Sequence, residues 1–363
     1  MTTSNPQAEK RVQLPDIDCV LIGVNCSKTV GSCIASIISA NYPNEKLHLY
    51  YVDGGSTDNS IAIAEQYEGV RVIALNLEYP TPGAGRNQGW KKGNSPLVQF
   101  LDSDTLLDTD WLRKAVTALD DTRIGAVLGF RKEIYPDHSV YNWIGDIEWG
   151  RAVGKSDCFG GDVLIRRQIL EKTGGYDEIL VGGEDPELSR RIIRAGWEII
   201  RLDAPMTKHD LAMKTIKQYL RRAFRSGYGF AAVRSREAKA GTPFWKYEFL
   251  KITIKGGGFL CCTAFSALLF LFGYRVNTIL IIAPLLLAFG TAMLLSPRLF
   301  RIEKFMHEDS LNRKEAKRYA WHCSLVVIPQ LFGIIRFFAG QLFNKPLRNR
   351  RSTLKTGLST HTT

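Results

Sequence analysis

The chain has 363 residues, 45% hydrophobic and 23% charged, which excludes a disordered, collagenous or low-complexity polymer and leaves room for two or three packed domains. Its formal charge of +12 is divided unevenly: residues 1–210 carry 23 Lys and Arg against 30 Asp and Glu, a net of −7, and residues 211–363 carry 25 against 6, a net of +19. An acidic body with a basic, apolar tail excludes an evenly basic nucleic-acid binder, so no nucleic-acid partner is expected; it fits a cytoplasmic domain docked on an anionic membrane.

Residues 1–17 are polar and read as a flexible N-terminus without a secretory leader, which places the first large domain, 18–212, in the cytoplasm. Seven cysteines without a C-x-x-C pair fit a reducing compartment. Within 18–212 short apolar runs alternate with amphipathic stretches. Strands are expected at Cys19–Val24, Leu47–Val52, Val70–Leu75, Leu97–Leu101, Gly125–Phe130 and Val163–Arg166. Helices are expected at Ser32–Ala40, Ser60–Tyr67, near Asn87–Lys92, at Asp110–Leu119 and from Pro186 to Ala195. This alternation predicts an α/β domain with a mostly parallel sheet.

Residues 213–255 read as basic, amphipathic interfacial helices. In Lys214–Phe230 the residues Ile216, Leu220 and Phe224 recur at spacing four among Lys217, Arg221, Arg222 and Arg225, the pattern of a helix lying in a headgroup layer. A membrane region, 256–343, follows. Gly256–Tyr274 and Thr278–Leu295 are uncharged runs of 19 and 18 residues, close to bilayer-spanning length, and would form a tight helical hairpin. Flanking Lys246, Lys251, Lys255, Arg298, Arg301 and Lys304 place both outer ends in the cytoplasm. A third apolar run, 321–343, contains Pro329 and Arg336 and precedes a basic tail, 344–363. A full span is slightly favoured there over a re-entrant or interfacial path, although three spans cannot keep both basic ends on one side.

Chemistry-bearing residues gather at strand ends. Asp102-Ser103-Asp104 follows the strand LVQFL; carboxylates at i and i+2 share a side of an extended chain and offer hard oxygen donors for Mg²⁺ or Mn²⁺. The plain alternative is a solvated turn. Asp53-Gly54-Gly55-Ser56-Thr57-Asp58 ends another strand, where glycines let a ligand approach the backbone. Gly83-Ala84-Gly85-Arg86-Asn87-Gln88-Gly89 has G-x-G-x-x-x-G spacing in a late loop, a weak match to a dinucleotide fingerprint. In Gly183-Glu184-Asp185-Pro186-Glu187, Asp185 reads either as a helix N-cap before Pro186 or as a general base, with Glu184 as its substitute. His209, just past the sheet domain, is a candidate third metal contact, imidazole suiting Mn²⁺ better than Mg²⁺.

The ordered set DGGSTD (53–58), GAGRNQG (83–89), DSD (102–104), FGGD (159–162), GGYDE (174–178) and GEDPELSRR (183–191) resembles the inverting family-2 glycosyltransferases with the GT-A fold, across roughly residues 18–210. The resemblance implies a Rossmann-like GT-A domain that binds a nucleotide-diphosphate sugar donor, followed here by C-terminal transmembrane helices. It implies that Asp53 reaches the nucleoside with Arg86 close by, and that Asp102 lies near the ribose and diphosphate. Asp104 would be the main metal ligand, Gly160 and Gly161 would line the acceptor loop, and Asp185 would take the proton from the acceptor hydroxyl. The first strand departs from the family pattern, ending Ile22-Gly23-Val24-Asn25-Cys26, so Asn25 is the contact offered from that loop. Gln218-Tyr219-Leu220-Arg221-Arg222 has Arg222 where processive members carry Trp, which argues against processive synthesis. Arg221 and Arg222 are expected to face the phosphate of a lipid-linked glycan acceptor, or to anchor the chain to membrane lipids. The function expected is inverting, metal-dependent sugar transfer in exopolysaccharide or cell-envelope polysaccharide synthesis, by a multi-pass inner-membrane enzyme with a cytoplasmic catalytic domain. A non-catalytic membrane scaffold with a degenerate transferase domain and a membrane-tethered NAD-dependent oxidoreductase are the alternatives.

Overall fold

The computed structural model describes residues 14–150, 152–272 and 277–348; residues 1–13, 151, 273–276 and 349–363 lie outside the described residues. In the N-terminal half, strands β1 (Ile17–Gly23), β2 (Leu47–Asp53), β3 (Val70–Ala74) and β4 (Leu97–Asp102) alternate with helices α1 (Val30–Ile38), α2 (Ser60–Ala64) and α3 (Pro82–Trp90). β5 (Thr105–Leu107), α4 (Trp111–Ala118), β6 (Ile124–Glu133), α5 (Val140–Glu148), β7 (Gly154–Lys155), β8 (Val163–Arg166), α6 (Arg167–Thr173), α7 (Glu184–Arg194) and β9 (Glu198–His209) complete the domain. They form a sheet ordered β3-β2-β1-β4-β8-β6-β9-β5, with β7 beside β9.

The sheet is mixed rather than mostly parallel. β1 to β4 pair in parallel, but β8 runs antiparallel to both β4 and β6. The central strands β1 and β4 are buried at successive residues, which requires cover on both faces and explains why they are mainly apolar, with Asp18 and Gln99 as buried polar exceptions. Every strand tip named above, at Asp53, Asp102 and the loops beyond, therefore ends at one edge of a sandwiched sheet, where open α/β sheets bind ligands.

Residues 83–89 are not a loop. They lie inside α3, which starts at Pro82 with Thr81 as its N-cap. Their glycines serve close packing: a Cβ at Gly89 would stand 2.3 Å from Val20 and one at Gly85 3.3 Å from Ile22. Helix α7 likewise begins two residues earlier than expected, at Glu184. Gly183, at φ 87°, is its N-cap, which puts Asp185 inside the first turn and removes the capping explanation for that residue.

The C-terminal half is helical: α8 (Ile216–Lys239), α9 (Lys246–Ile252), α10 (Gly258–Phe272), α11 (Asn277–Leu294), α12 (Ser296–Phe300), α13 (Ile302–Glu308), α14 (Arg313–Leu325) and α15 (Val327–Leu342). Among the described residues, Lys246–Leu271 and Arg313–Leu342 are long and apolar enough to cross a bilayer, and Ile281–Leu294 is a shorter apolar helix. α10 and α11 pack as the expected hairpin, with the Ser266 hydroxyl donating to Ala283 O at 2.7 Å. On α8 the packed side is not the 216/220/224 stripe: Ile216 and Leu220 are exposed. Small residues take that role. A Cβ on Gly227 would stand 1.9 Å from Gln330 O and one on Gly333 2.1 Å from Phe224 O, so α8 and α15 touch backbone to backbone.

The run 321–343, part of the apolar helical stretch Arg313–Leu342, has contacts to the transferase half near both of its ends. His322 contacts Glu148; beyond α15 the Leu347 N–H donates to Tyr228 Oη at 3.2 Å, and Arg348 lies 4.8 Å over the Tyr79 ring. The glycine contact lays α15 along α8.

Candidate active site

A cavity of about 1480 Å³ opens at the strand tips between the sheet and α8. Arg86 stands at its base, 2% exposed, and gathers three carboxylates: Asp102 at 2.8 Å, Glu184 at 3.1 Å and Asp185 at 3.5 Å. Helix α3 presents it from below and Tyr176 packs against it, the guanidinium 5.3 Å from that ring. Its two terminal nitrogens are engaged by these acids, and the residue lines the cavity beside them.

Asp53 also differs from expectation. It is buried and does not line the cavity. Its Oδ2 accepts the N–H groups of Gly55 and Ser56, both at 2.8 Å, and its Oδ1 accepts the hydroxyls of Tyr51 and Ser56. Those bonds consume its acceptor capacity and shape a turn whose Gly54 and Gly55 do line the cavity. Asn25, at φ 53°, staples the neighbouring loop: its N–H donates to Ser56 Oγ at 2.8 Å, and its Oδ1 accepts the Thr57 N–H at 2.8 Å. It lies on the cavity wall.

Asp102, Asp104 and His209 come together although a hundred residues separate the pair from the imidazole. Antiparallel pairing of β5 with β9 sets Thr105 opposite His209, and one potential ligand atom from each of the three lies within 4.8 Å of the others. His209 Nε2 is 3.1 Å from Asp104 Oδ1. Asp104 Oδ1 and His209 Nδ1 are buried without a hydrogen-bond partner, which is costly unless another group binds there. Two carboxylates and an imidazole suit Mn²⁺, and Mg²⁺ through the oxygens, so these residues fit a divalent cation. Burial alone would raise the Asp102 carboxyl; Arg86, Arg131 and His209 outweigh it and hold the group below the usual range.

Asp185 lines the same cavity, and its Oδ1 is buried without a hydrogen bond. Burial, opposed by Arg86 and reinforced by the charges of Glu184 and Asp102, pushes its carboxyl up to about 8. That is the range a general base needs at neutral pH. Glu184, accepting directly from Arg86, is the more occupied of the two acids. Gly161 approaches the site so closely that a Cβ would stand 2.3 Å from Asp102 Oδ2 and 2.8 Å from an Arg86 nitrogen. Gly160 has no such constraint, its nearest neighbour being Arg131 at 3.9 Å. Arg221 and Arg222 line the α8 side of the cavity, both exposed.

Three residues not singled out beforehand belong to this site. Arg131 pairs with the fully buried Asp162 at 2.8 Å, and Asp162 also accepts the Asp102 N–H and the Thr207 hydroxyl. Trp149 lies between Arg131 and His209. Asp162 was visible as the acid of FGGD; Arg131 was one charge in RKE at a strand end, and Trp149 carried no signal.

The comparisons agree with this geometry. The model of Glycosyl transferase family 2 matches residues 19–174, and that of Glycosyl transferase family group 2 matches residues 97–295, more than half of the chain. Glycosyltransferase AglE of Haloferax volcanii is 23% identical over 225 residues, 60% of this chain and 73% of its own. The probable glycosyltransferase YdaM of Bacillus subtilis is 24% identical over 219 residues, and the match spans only 51% of that protein's length. Among solved structures, the mannosyltransferase PcManGT from Pyrobaculum calidifontis, in complex with GDP-Man and Mn²⁺, superposes with a TM-score of 0.59 at 16% identity, covering 88% of this chain and 87% of that one. That likeness is one of fold, and the fold is GT-A. The chain belongs to glycosyltransferase family 2.

Proposed function

We propose that this glycosyltransferase moves a sugar, with inversion, from a nucleotide-diphosphate donor to a lipid-linked glycan acceptor at a membrane surface, in exopolysaccharide or cell-envelope polysaccharide synthesis. The observation that carries the reading is one cavity with an Asp-Asp-His group on one wall and, on another, the Asp185 carboxylate, whose Oδ1 accepts no hydrogen bond and whose carboxyl is pushed up to about 8. Asp102, Asp104 and His209 would hold Mg²⁺ or Mn²⁺, which when bound offsets the charge that develops on a departing nucleoside diphosphate. The mannosyltransferase of similar fold holds Mn²⁺ with its donor, which supports this assignment.

Asp185 accepts the proton of the acceptor hydroxyl as that oxygen bonds to the sugar. Single displacement from the face opposite the leaving group inverts the configuration. Arg86 keeps Asp102, Glu184 and Asp185 in register, and Gly161 leaves the space that this register needs. Arg221 and Arg222 reach the cavity from α8 and supply charge for an acceptor phosphate. The exposed apolar residues Phe265, Phe270, Leu285 and Phe289 on the α10–α11 hairpin, with Phe332, Ile335 and Phe338 on α15, support a lipid-facing surface. We place α10 and α11 across the membrane and α15 in its surface layer. Residues 18–212 then form the cytoplasmic catalytic domain and 213–255 the interfacial collar.

The test uses the full chain in anionic lipid nanodiscs. Binding of a panel of nucleoside diphosphates is measured with and without Mn²⁺, for wild type and Asp104→Asn. Metal-dependent binding of one nucleotide, lost in the variant, is expected. Folded protein that binds none of them would leave a non-catalytic scaffold. The NAD-dependent reading loses its basis, because its glycine fingerprint is a packed helix.

A further inference from the structure

The C-terminal helices reach the cation site through one short chain of contacts. His322, buried on α14, engages both ring nitrogens: Nε2 meets Glu148 Oε1 at 2.7 Å, and Nδ1 meets Tyr219 Oη of α8 at 2.7 Å. Glu148 is the last residue of α5, whose other end is capped by Ser139. α14 also grips α5 one turn earlier, with Arg318 5.0 Å over the Trp143 ring.

Trp149 follows Glu148 directly, and the chain then turns at Gly150, φ 65°. The Trp149 ring stands 5.3 Å from the His209 ring, and the Arg131 guanidinium lies 5.6 Å over it. A metal-ligating imidazole usually has its second nitrogen hydrogen-bonded, which fixes the ring. His209 Nδ1 is buried and has no such partner. Packing against Trp149 therefore restrains the ring, and the position of Trp149 depends on where α5 ends.

We propose that His322 is a positioning residue for the cation site: by holding Glu148 it sets Trp149 against His209, so cation affinity is coupled to docking of the C-terminal helices. This rests on the cation-binding reading of Asp102, Asp104 and His209. The transferase domain alone contains all three ligands, yet its site is completed by a residue from a helix more than a hundred positions further along the chain.

The experiment measures binding of Mn²⁺ alone to the full chain in nanodiscs, from loss of the free-ion paramagnetic resonance signal, at a temperature where every variant is folded. His322→Ala and Glu148→Ala are each expected to weaken binding about 3- to 10-fold, less than the ~10–100-fold typical of a group bonded directly to a ligand. His322→Gln, whose amide can still donate to Glu148, should retain most of the affinity. Combined with Trp149→Ala, His322→Ala should add no further loss, because both act through one contact. Wild-type affinity in His322→Ala, or losses that add in the double variant, would overturn the proposal. Asp104→Asn separates the two readings. If it binds Mn²⁺ as wild type does, the cation site itself is wrong; if it loses binding while His322→Ala does not, only the role of His322 fails.

Discussion

Arg86 is enclosed with three acids, and that enclosure fixes what its loss does. Arg86→Met leaves Asp102, Glu184 and Asp185 crowded without a counter-charge. Removing one partner of a buried ion pair costs about 3–5 kcal/mol, so a large fall in the denaturation midpoint is expected alongside loss of activity. Asp185 gives a pH signature. Its carboxyl stands at about 8 in the folded protein against 3.8 for the free group, so the folded state binds the proton more tightly. Its contribution to stability is complete below about pH 4 and is lost as pH rises to about 8. Urea midpoints of wild type should fall relative to Asp185→Asn between pH 5 and 8.5. Activity should run the other way, kcat/KM rising through the same range as the base form appears. Glu184→Gln removes a charge that raises Asp185 and should move that limb to lower pH; abolished activity would instead make Glu184 the base. Gly161→Ala thrusts a methyl between Asp102 and Arg86 and should lower kcat/KM by about 100-fold, the cost of a misplacement near 1 Å, while Gly160→Ala should change it little.

At the level of elements, the contact between α8 and α15 is set by glycine. Gly333→Leu cannot fit against the Phe224 carbonyl without parting the helices. Overpacking of this kind costs about 1–3 kcal/mol, and faster proteolysis after residue 340 is the expected readout. The same scale shows what could be read in advance. Strands β1, β2, β4 and β8 were legible because both faces are largely buried and their text is mainly apolar, interrupted only singly, as by His48 and Gln99. β9 was not: EIIRLDAPMTKH mixes charges and a proline, since its register with β6 shifts repeatedly and its exposed positions do not alternate. The acids at strand tips were legible as a pattern, but their division of labour was not. Whether a carboxylate faces the cavity or closes its own turn depends on one or two hydrogen bonds, and Asp53 and Asp104 look alike until those are placed. His209 was singled out from its chemistry, and the β5–β9 pairing is what sets it beside Asp102 and Asp104.

Across the whole molecule, the acidic catalytic half and the basic helical half are joined at α8. Binding of the full chain to anionic vesicles is therefore expected to weaken with salt but not to vanish, because apolar contact persists after screening. With α15 in the surface layer, cysteines introduced at Thr122 and at Lys345 should both be modified by an impermeant maleimide from the same face of sealed vesicles. Opposite-sided labelling would restore a full span. The pairing of β5 with β9 has one further consequence, for the order in which the molecule becomes competent. Asp102 and Asp104 leave the ribosome about a hundred residues before His209, and β9 is the last strand of the sheet to be made. A nascent chain can thus present the first two acids without being able to close the three-ligand site. On the proposed cation-binding reading, commitment to a cation waits until β9 has inserted between β6 and β5, by which time the whole catalytic domain has been synthesised.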